Sequence, residues 1–180
     1  MLMQKVLISS CLLGNPVRYN GLDAKLHSDI LDRWIGEGRV VPVCPELAAG
    51  FSVPREAAEI RGGSGIDVLN NASQIVTQSG NLLTRQFVFG ARQALETARQ
   101  HHIKIAVLTD GSPSCGSTYV YDGSFSGIRL WGSKGVTTAL LSTEGLEVFS
   151  QFQLFEADRR LLELDRVMTC SVCNVGPLTG

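Results

Sequence analysis

The sequence predicts an α/β protein, a three-layer α/β/α sandwich built on a mainly parallel, Rossmann-like sheet. Short apolar runs of strand length, at residues 5–8, 40–43 and 103–108, alternate with segments whose apolar residues recur at helical spacing. Glycine and proline punctuate the joins, and 19 glycines in 180 residues provide many tight turns. With 44% hydrophobic residues the chain can fill the core of one domain.

Each element follows from local pattern. Lys5-Val6-Leu7-Ile8 reads as the first strand, and the Gly, Pro and Asn of residues 14–21 make a loop after it. Leu22, Leu26, Ile30 and Trp34 lie four apart and predict a helix over 22–35, stopped by Gly36 and Gly38. Val40-Val41-Pro42-Val43 returns as a strand and completes a βαβ unit with a right-handed crossover. Residues 45–78 show no strong period and read as a long loop, with one edge strand at Ile66-Asp67-Val68. Asn81 is placed to cap a helix reaching His101, with Leu83, Phe87, Ala91, Ala94 and Ala98 on one face.

The run at 103–108 is apolar enough for a central strand, with Lys104 its only charge. Residues 109–135 read as loop, 135–142 as a short helix and 146–149 as the last strand. A charged helix over 155–168 and a tail with Cys170 and Cys173 follow. Residues 1–150 are therefore expected to form the α/β domain, and 151–180 a C-terminal helix and tail.

Composition narrows the function. A net charge of −1 argues against a broad electrostatic grip on DNA or long RNA. No run reaches the length of a membrane span, and Met1-Leu2-Met3-Gln4-Lys5 leads directly into a strand rather than resembling a signal peptide. A cytoplasmic protein is expected. Five cysteines, an odd count, do not suggest a disulfide framework.

Cys11, Cys44 and Cys115 each fall at or shortly after the end of a predicted strand. If those strands are parallel neighbours, the three thiols converge at the carboxyl edge of the sheet, where open α/β sheets bind ligands. Three thiolates with no evident fourth suit a metal or iron–sulfur cluster with one open position. Glu46 follows Cys44 by two positions, and Ser112 and Ser114 lie within three of Cys115. A carboxylate and hydroxyls beside such a site can shuttle protons.

Taken singly, each residue has a plainer reading: a core thiol, a solvated carboxylate, a turn-capping serine. Arg18 and Arg55 sit in loops near the proposed edge as anion ligands, and Tyr19 or Tyr121 could stack on a base. Gly62-Gly63-Ser64-Gly65 lacks the Lys-Ser/Thr ending of a phosphate loop and reads as a turn. The Gly/Ser stretch over 123–134, carrying Phe125, Ile128 and Trp131, reads as a mobile cover. Cys170 and Cys173 find no partner ligands in His27, His101 or His102 and read as incidental or redox-accessory thiols.

Five blocks together are far more specific: Ser9-Ser10-Cys11-Leu12-Leu13-Gly14, Val17-Arg18-Tyr19-Asn20-Gly21, Pro42-Val43-Cys44-Pro45-Glu46, Pro54-Arg55 and Ser112-Pro113-Ser114-Cys115-Gly116. In this order, over about residues 4 to 145, they resemble the signature of the thiouracil desulfurase family. The resemblance implies an oxygen-sensitive 4Fe-4S cluster held by Cys11, Cys44 and Cys115, with one iron open to the sulfur of a thiolated uracil. It implies a non-redox replacement of C=S by C=O with release of sulfide, and no electron-transfer partner.

By the same match Glu46 would be the acid/base group, protonating the ring nitrogen, and Ser112 would orient substrate or water. Arg18, Tyr19, Arg55 and Ser114 are expected around a small-molecule thiopyrimidine or thionucleotide. Thr109-Asp110-Gly111 lacks a lysine that some members carry, which leaves substrate preference open. Two other classes remain: a non-catalytic iron–sulfur or zinc-binding module, and a metal-free thiol enzyme.

Overall fold

A computed structural model describes residues 3–173. In chain order the elements are β1 (Val6–Ser9), a 3₁₀ turn (Ser10–Leu13), α1 (Asp29–Gly36), β2 (Val40–Val43), α2 (Pro45–Ala48), β3 (Ala58–Arg61) and α3 (Gly65–Leu69). There follow β4 (Gln74–Thr77), α4 (Thr84–Gln100), β5 (Ile105–Leu108), β6 (Tyr119–Tyr121), β7 (Arg129–Trp131), α5 (Val136–Thr143), β8 (Glu147–Ser150) and α6 (Leu154–Cys173). The main sheet has the order β2-β1-β5-β8, and every neighbouring pair is parallel. The chain runs outward from β1 to β2, then crosses back to β5 and outward to β8. The direction of winding therefore reverses between β1 and β5, the point where such sheets open a crevice beyond their carboxyl ends.

Side-chain alternation along the strands makes the three layers. Val6, Ile8, Ile105 and Val107 pack with Leu31 and Trp34 of α1 and with Leu154, Ala157 and Leu161 of α6. Leu7, Val41, Val43, Ala106 and Leu108 pack on the other face with Ala94, Leu95 and Ala98 of α4 and Leu141 of α5. A third cluster joins Ile60 of β3, Ile75 of β4, Val68 of α3, Phe87 and Ala91 of α4, Val120 and Val136. It holds the antiparallel β3–β4 pair beyond the sheet edge.

The strands over 40–43 and 103–108 form close to the expected bounds, and β5 is central. Five local expectations differ. The helix expected over 22–35 begins only at Asp29. The N–H groups of Ala24 and Leu26 donate instead to the carbonyls of Cys11 and Leu12 at 3.0 and 2.9 Å, so the 3₁₀ turn claims backbone that a helix would have used. Leu22, expected on the buried face, is 60% exposed.

Residues 66–68 are helix α3 rather than an edge strand. The Asp67 carboxylate accepts from the Ser64 N–H and hydroxyl at 2.8 and 2.7 Å, a helix-starting arrangement that overrides the apolar alternation of Ile66 and Val68. The same bonds occupy the end of the Gly62–Gly65 segment. Asn81 does not cap α4; its side chain donates to Ser79. The β6–β7 hairpin went unforeseen, its strands being three residues each. Helix α6 continues through Cys173, where a tail was expected, and the side chains of Cys170 and Cys173 lie outside the described residues.

Candidate active site

Three turns at the carboxyl edge carry the thiols. Cys11 sits in the 3₁₀ turn directly after β1, and Gly14 closes that turn at φ 91°, a left-handed conformation suited to glycine. Cys44 immediately precedes α2, and Pro45 occupies the first helical position, where a missing N–H costs nothing. Gly90 lets α4 press against this corner, since a Cβ there would run into the Pro45 carbonyl. Cys115 lies in a turn pinned by Ser112, whose hydroxyl oxygen accepts from the N–H groups of Ser114 and Cys115 at 3.0 and 3.2 Å. Thr138 of α5 donates to the Cys115 carbonyl at 2.8 Å.

All three cysteines line one cavity of about 630 Å³, together with Arg18, Tyr19, Glu46, Arg55, Ser112 and Tyr121. That volume falls within the range of small-molecule sites, roughly 300–1,000 Å³. Cys11 and Cys115 are buried and Cys44 is half-buried. Burial pushes all three thiols up from the ordinary range. The Thr109 hydroxyl and then Arg18 oppose the shift at Cys11, and the Leu47 N–H opposes it at Cys44. At Cys115 neighbouring Cys11 adds to the rise, while the Ser9 hydroxyl opposes it. The three sulfurs thus feel one another across the cavity.

Glu46 is held from two sides. Arg55 approaches its Oε2 with Nε at 2.8 Å and Nη2 at 2.5 Å, and the Ser112 hydroxyl reaches its Oε1 at 3.4 Å. The remaining Arg55 donors go to the carbonyls of Ser52 and Val17 at 3.0 and 3.1 Å. Arg55, expected to bind substrate, lines the cavity and also clasps Glu46 through its guanidinium. Its own N–H donates to the Tyr19 carbonyl at 2.8 Å, lashing the two loops together. Among the described residues Arg18 makes no ion pair; it lines the cavity, and Tyr19 stands at its rim, 44% exposed.

Ser114, expected near the substrate, lies apart from the cavity lining. It is fully buried, 2.7 Å from the Thr137 hydroxyl. Its position one residue before Cys115 points its side chain into the α5 packing instead. Residues 123–131 likewise contribute no lining side chain. Buried Glu59 accepts from the N–H groups of Gly123 and Phe125 at 2.9 and 3.1 Å, so this segment is fastened to β3 rather than poised above the cavity. Trp131 is 68% exposed.

Sequence reasoning missed Ser9, Thr109 and Asp110. The Asp110 carboxylate accepts four bonds from Ser117 and Thr118, which fix the turn following Cys115. Ser9 stood inside a motif block without a role of its own, and Thr109 and Asp110 lay just before another.

Among the described residues no three His, Cys, Asp or Glu side chains crowd closely enough to hold a single metal ion. A four-iron cluster makes a different demand, because its protein sulfurs attach at separate corners of a cube instead of meeting at one point. Three thiols around one cavity, two buried and one half-buried, with no histidine and no fourth cysteine lining it among the described residues, match the donor chemistry of such a cluster with one open iron. Metal binding would also replace protons that burial otherwise retains on these sulfurs.

The family model described as 2-thiouracil desulfurase matches residues 6–153. The uncharacterized protein YbbK of Bacillus subtilis (strain 168) is 46% identical over 149 residues, covering 83% of this chain and 97% of that protein. A solved structure of the [4Fe-4S]-dependent thiouracil desulfidase TudS superposes with a TM-score of 0.80 at 42% identity, covering 88% of this chain and 97% of the other.

Proposed function

We infer that this cavity is where desulfuration takes place, because the chain belongs to the 2-thiouracil desulfurase family and closely matches a [4Fe-4S]-dependent member of it. The enzyme replaces the C=S of a thiolated uracil with C=O and releases sulfide. We propose that Cys11, Cys44 and Cys115 hold the cluster. The observation that carries this reading is the meeting of those three thiols with the Glu46–Arg55–Ser112 group in one cavity at the carboxyl edge of the sheet. When bound, the cluster supplies a thiophilic iron that polarises the C=S bond and makes the ring carbon electrophilic.

The chain's own residues supply the proton chemistry. We propose that Glu46, clasped by Arg55, acts first as the base and takes a proton before it gives one. This reverses the order in which a protonated Glu46 acts first. A water adding at the ring carbon loses one proton to Glu46, which hands it to the departing sulfur. As the C–S bond breaks, the new C–OH loses the second proton through the same carboxylate to the sulfide, leaving C=O. Water supplies both hydrogens of the hydrogen sulfide and the oxygen of the new carbonyl, so no electron is exchanged. Arg55 fixes the carboxylate through two nitrogens, and Ser112, whose oxygen already accepts two N–H bonds, can only donate towards Glu46 or its water. Arg18 offers the free positive charge for an anionic form or substituent of a thiopyrimidine.

The test is anaerobic reconstitution of the full chain followed by incubation with 2-thiouracil, with sulfide and uracil measured together. Equal amounts of both are expected. Cluster-loaded protein that yields neither from any thiopyrimidine would overturn the catalytic reading and leave a cluster-binding module.

A further inference from the structure

Two buried hydroxyls lie behind the thiols, and the proton chemistry uses neither. Thr109 directly follows β5, and its hydroxyl oxygen is 3.0 Å from the Cys11 sulfur in a buried contact. Its backbone N–H donates to the hydroxyl oxygen of Ser9 at 3.1 Å. Ser9 ends β1 and is buried there. Ser9 and Thr109 are 2% and 9% exposed, so water does not compete for these bonds. The two residues therefore bridge neighbouring parallel strands at the winding reversal, and Thr109 presents its hydroxyl to Cys11.

While a cysteine is protonated, either partner in an O···S contact can donate. A thiolate bound to iron has no proton left, so the hydroxyl must become the donor. Hydrogen bonds to sulfur are among the principal controls of iron–sulfur potential, and outer-shell donors govern how firmly a metal group is held. Resting on the assignment of the cysteines above, we propose that Thr109 is a positioning residue which donates an O–H···S bond to Cys11 in the loaded enzyme, with Ser9 fixing its backbone, and thereby sets the potential and retention of the cluster. A threonine suits this role: its hydroxyl gives the bond and its branched stem limits rotation in a closed space.

The experiment compares full-length wild type, Thr109→Val and Thr109→Ser after anaerobic reconstitution. Valine keeps the shape without the hydroxyl, and serine keeps the hydroxyl. Iron per chain, the midpoint potential from mediated titration with dithionite, and the rate of iron loss to a chelator are measured. Thr109→Val should take up iron, show a more negative potential and lose iron roughly 10-fold or more faster, the scale of losing an outer-shell partner. Thr109→Ser should restore both readouts towards wild type. Thr109→Ala replaces the valine variant if the latter does not fold.

Wild-type potential and retention in Thr109→Val would overturn the proposal alone, as would a serine variant indistinguishable from valine. A wild-type chain that takes up no cluster, or a Cys11→Ser variant that keeps the normal one, would overturn the cysteine assignment with it.

Discussion

At the scale of single residues, the site separates groups that sequence made look alike. Ser112 and Ser114 stand two positions apart in one motif, yet one faces Glu46 and the other is sealed against Thr137. Residue type announced a hydroxyl but not its direction, which is set by the packing of α5 far along the chain. Glu46→Gln should retain iron while lowering sulfide release by roughly two orders of magnitude, the usual scale for losing a general acid/base. Near-normal turnover would remove Glu46 from the chemistry. Ser112→Ala should cost less, since water can replace one donor towards Glu46. Arg55→Met should resemble Glu46→Gln in turnover, because it frees the carboxylate from its clasp. Its distinguishing mark would be partial recovery in Arg55→Lys, which restores the charge without the fork.

At the scale of elements, what was legible depended on how local the cause was. The strands and the thiols that follow them could be read because an apolar run and its stop signal are contiguous. The helix expected over 22–35 failed for a non-local reason: the carbonyls of Cys11 and Leu12 capture Ala24 and Leu26. The start of α3 was local but was passed over, although Ser64 and Asp67 spell a capping pair. Ser64 holds Asp67 below the usual carboxylate range. The folded value lies below the unfolded one, so this contribution is present at neutral pH and is lost as pH falls through the depressed value. Asp67→Asn should therefore flatten the acid-side fall in Tm relative to wild type; parallel Tm–pH curves would contradict it.

Packing between elements yields another expectation. Gly90→Ala forces α4 away from the Pro45 carbonyl. It should destabilise the fold by about 1–3 kcal/mol, as overpacking typically does. Because Pro45 lies between Cys44 and Glu46, it should also reduce iron uptake and turnover together. Lowered Tm with unchanged uptake would limit the contact to stability.

At the scale of the whole molecule, the question is how far α6 belongs to the core. The family match stops at residue 153, just before α6 begins. The sequence suggested the same division, with residues 151–180 set apart from the α/β domain. The packing argues for integration. Leu154, Ala157 and Leu161 cover the face formed by Val6, Ile8, Ile105 and Val107. Asp158 accepts from the Trp34 indole at 2.9 Å, and Asp165 pairs with Arg39, whose side chain is only 7% exposed, at 2.6 Å.

Each fully buried leucine contributes about 1.5–3 kcal/mol. A domain of this kind has about 5–15 kcal/mol in total. Removing α6 forfeits two such leucines, uncovers a sheet face and takes one carboxylate from a nearly buried guanidinium, so the loss is comparable with the whole stability. A chain ending at Ser150 should therefore lose cooperative thermal unfolding, bind a dye for exposed apolar surface and fail to retain iron, since β1 and β5 carry both the uncovered face and the turns bearing Cys11 and Cys115. A truncated chain that melts cooperatively within a few degrees of full length would show α6 to be an appendage, and the sheet to be covered well enough by α1 alone.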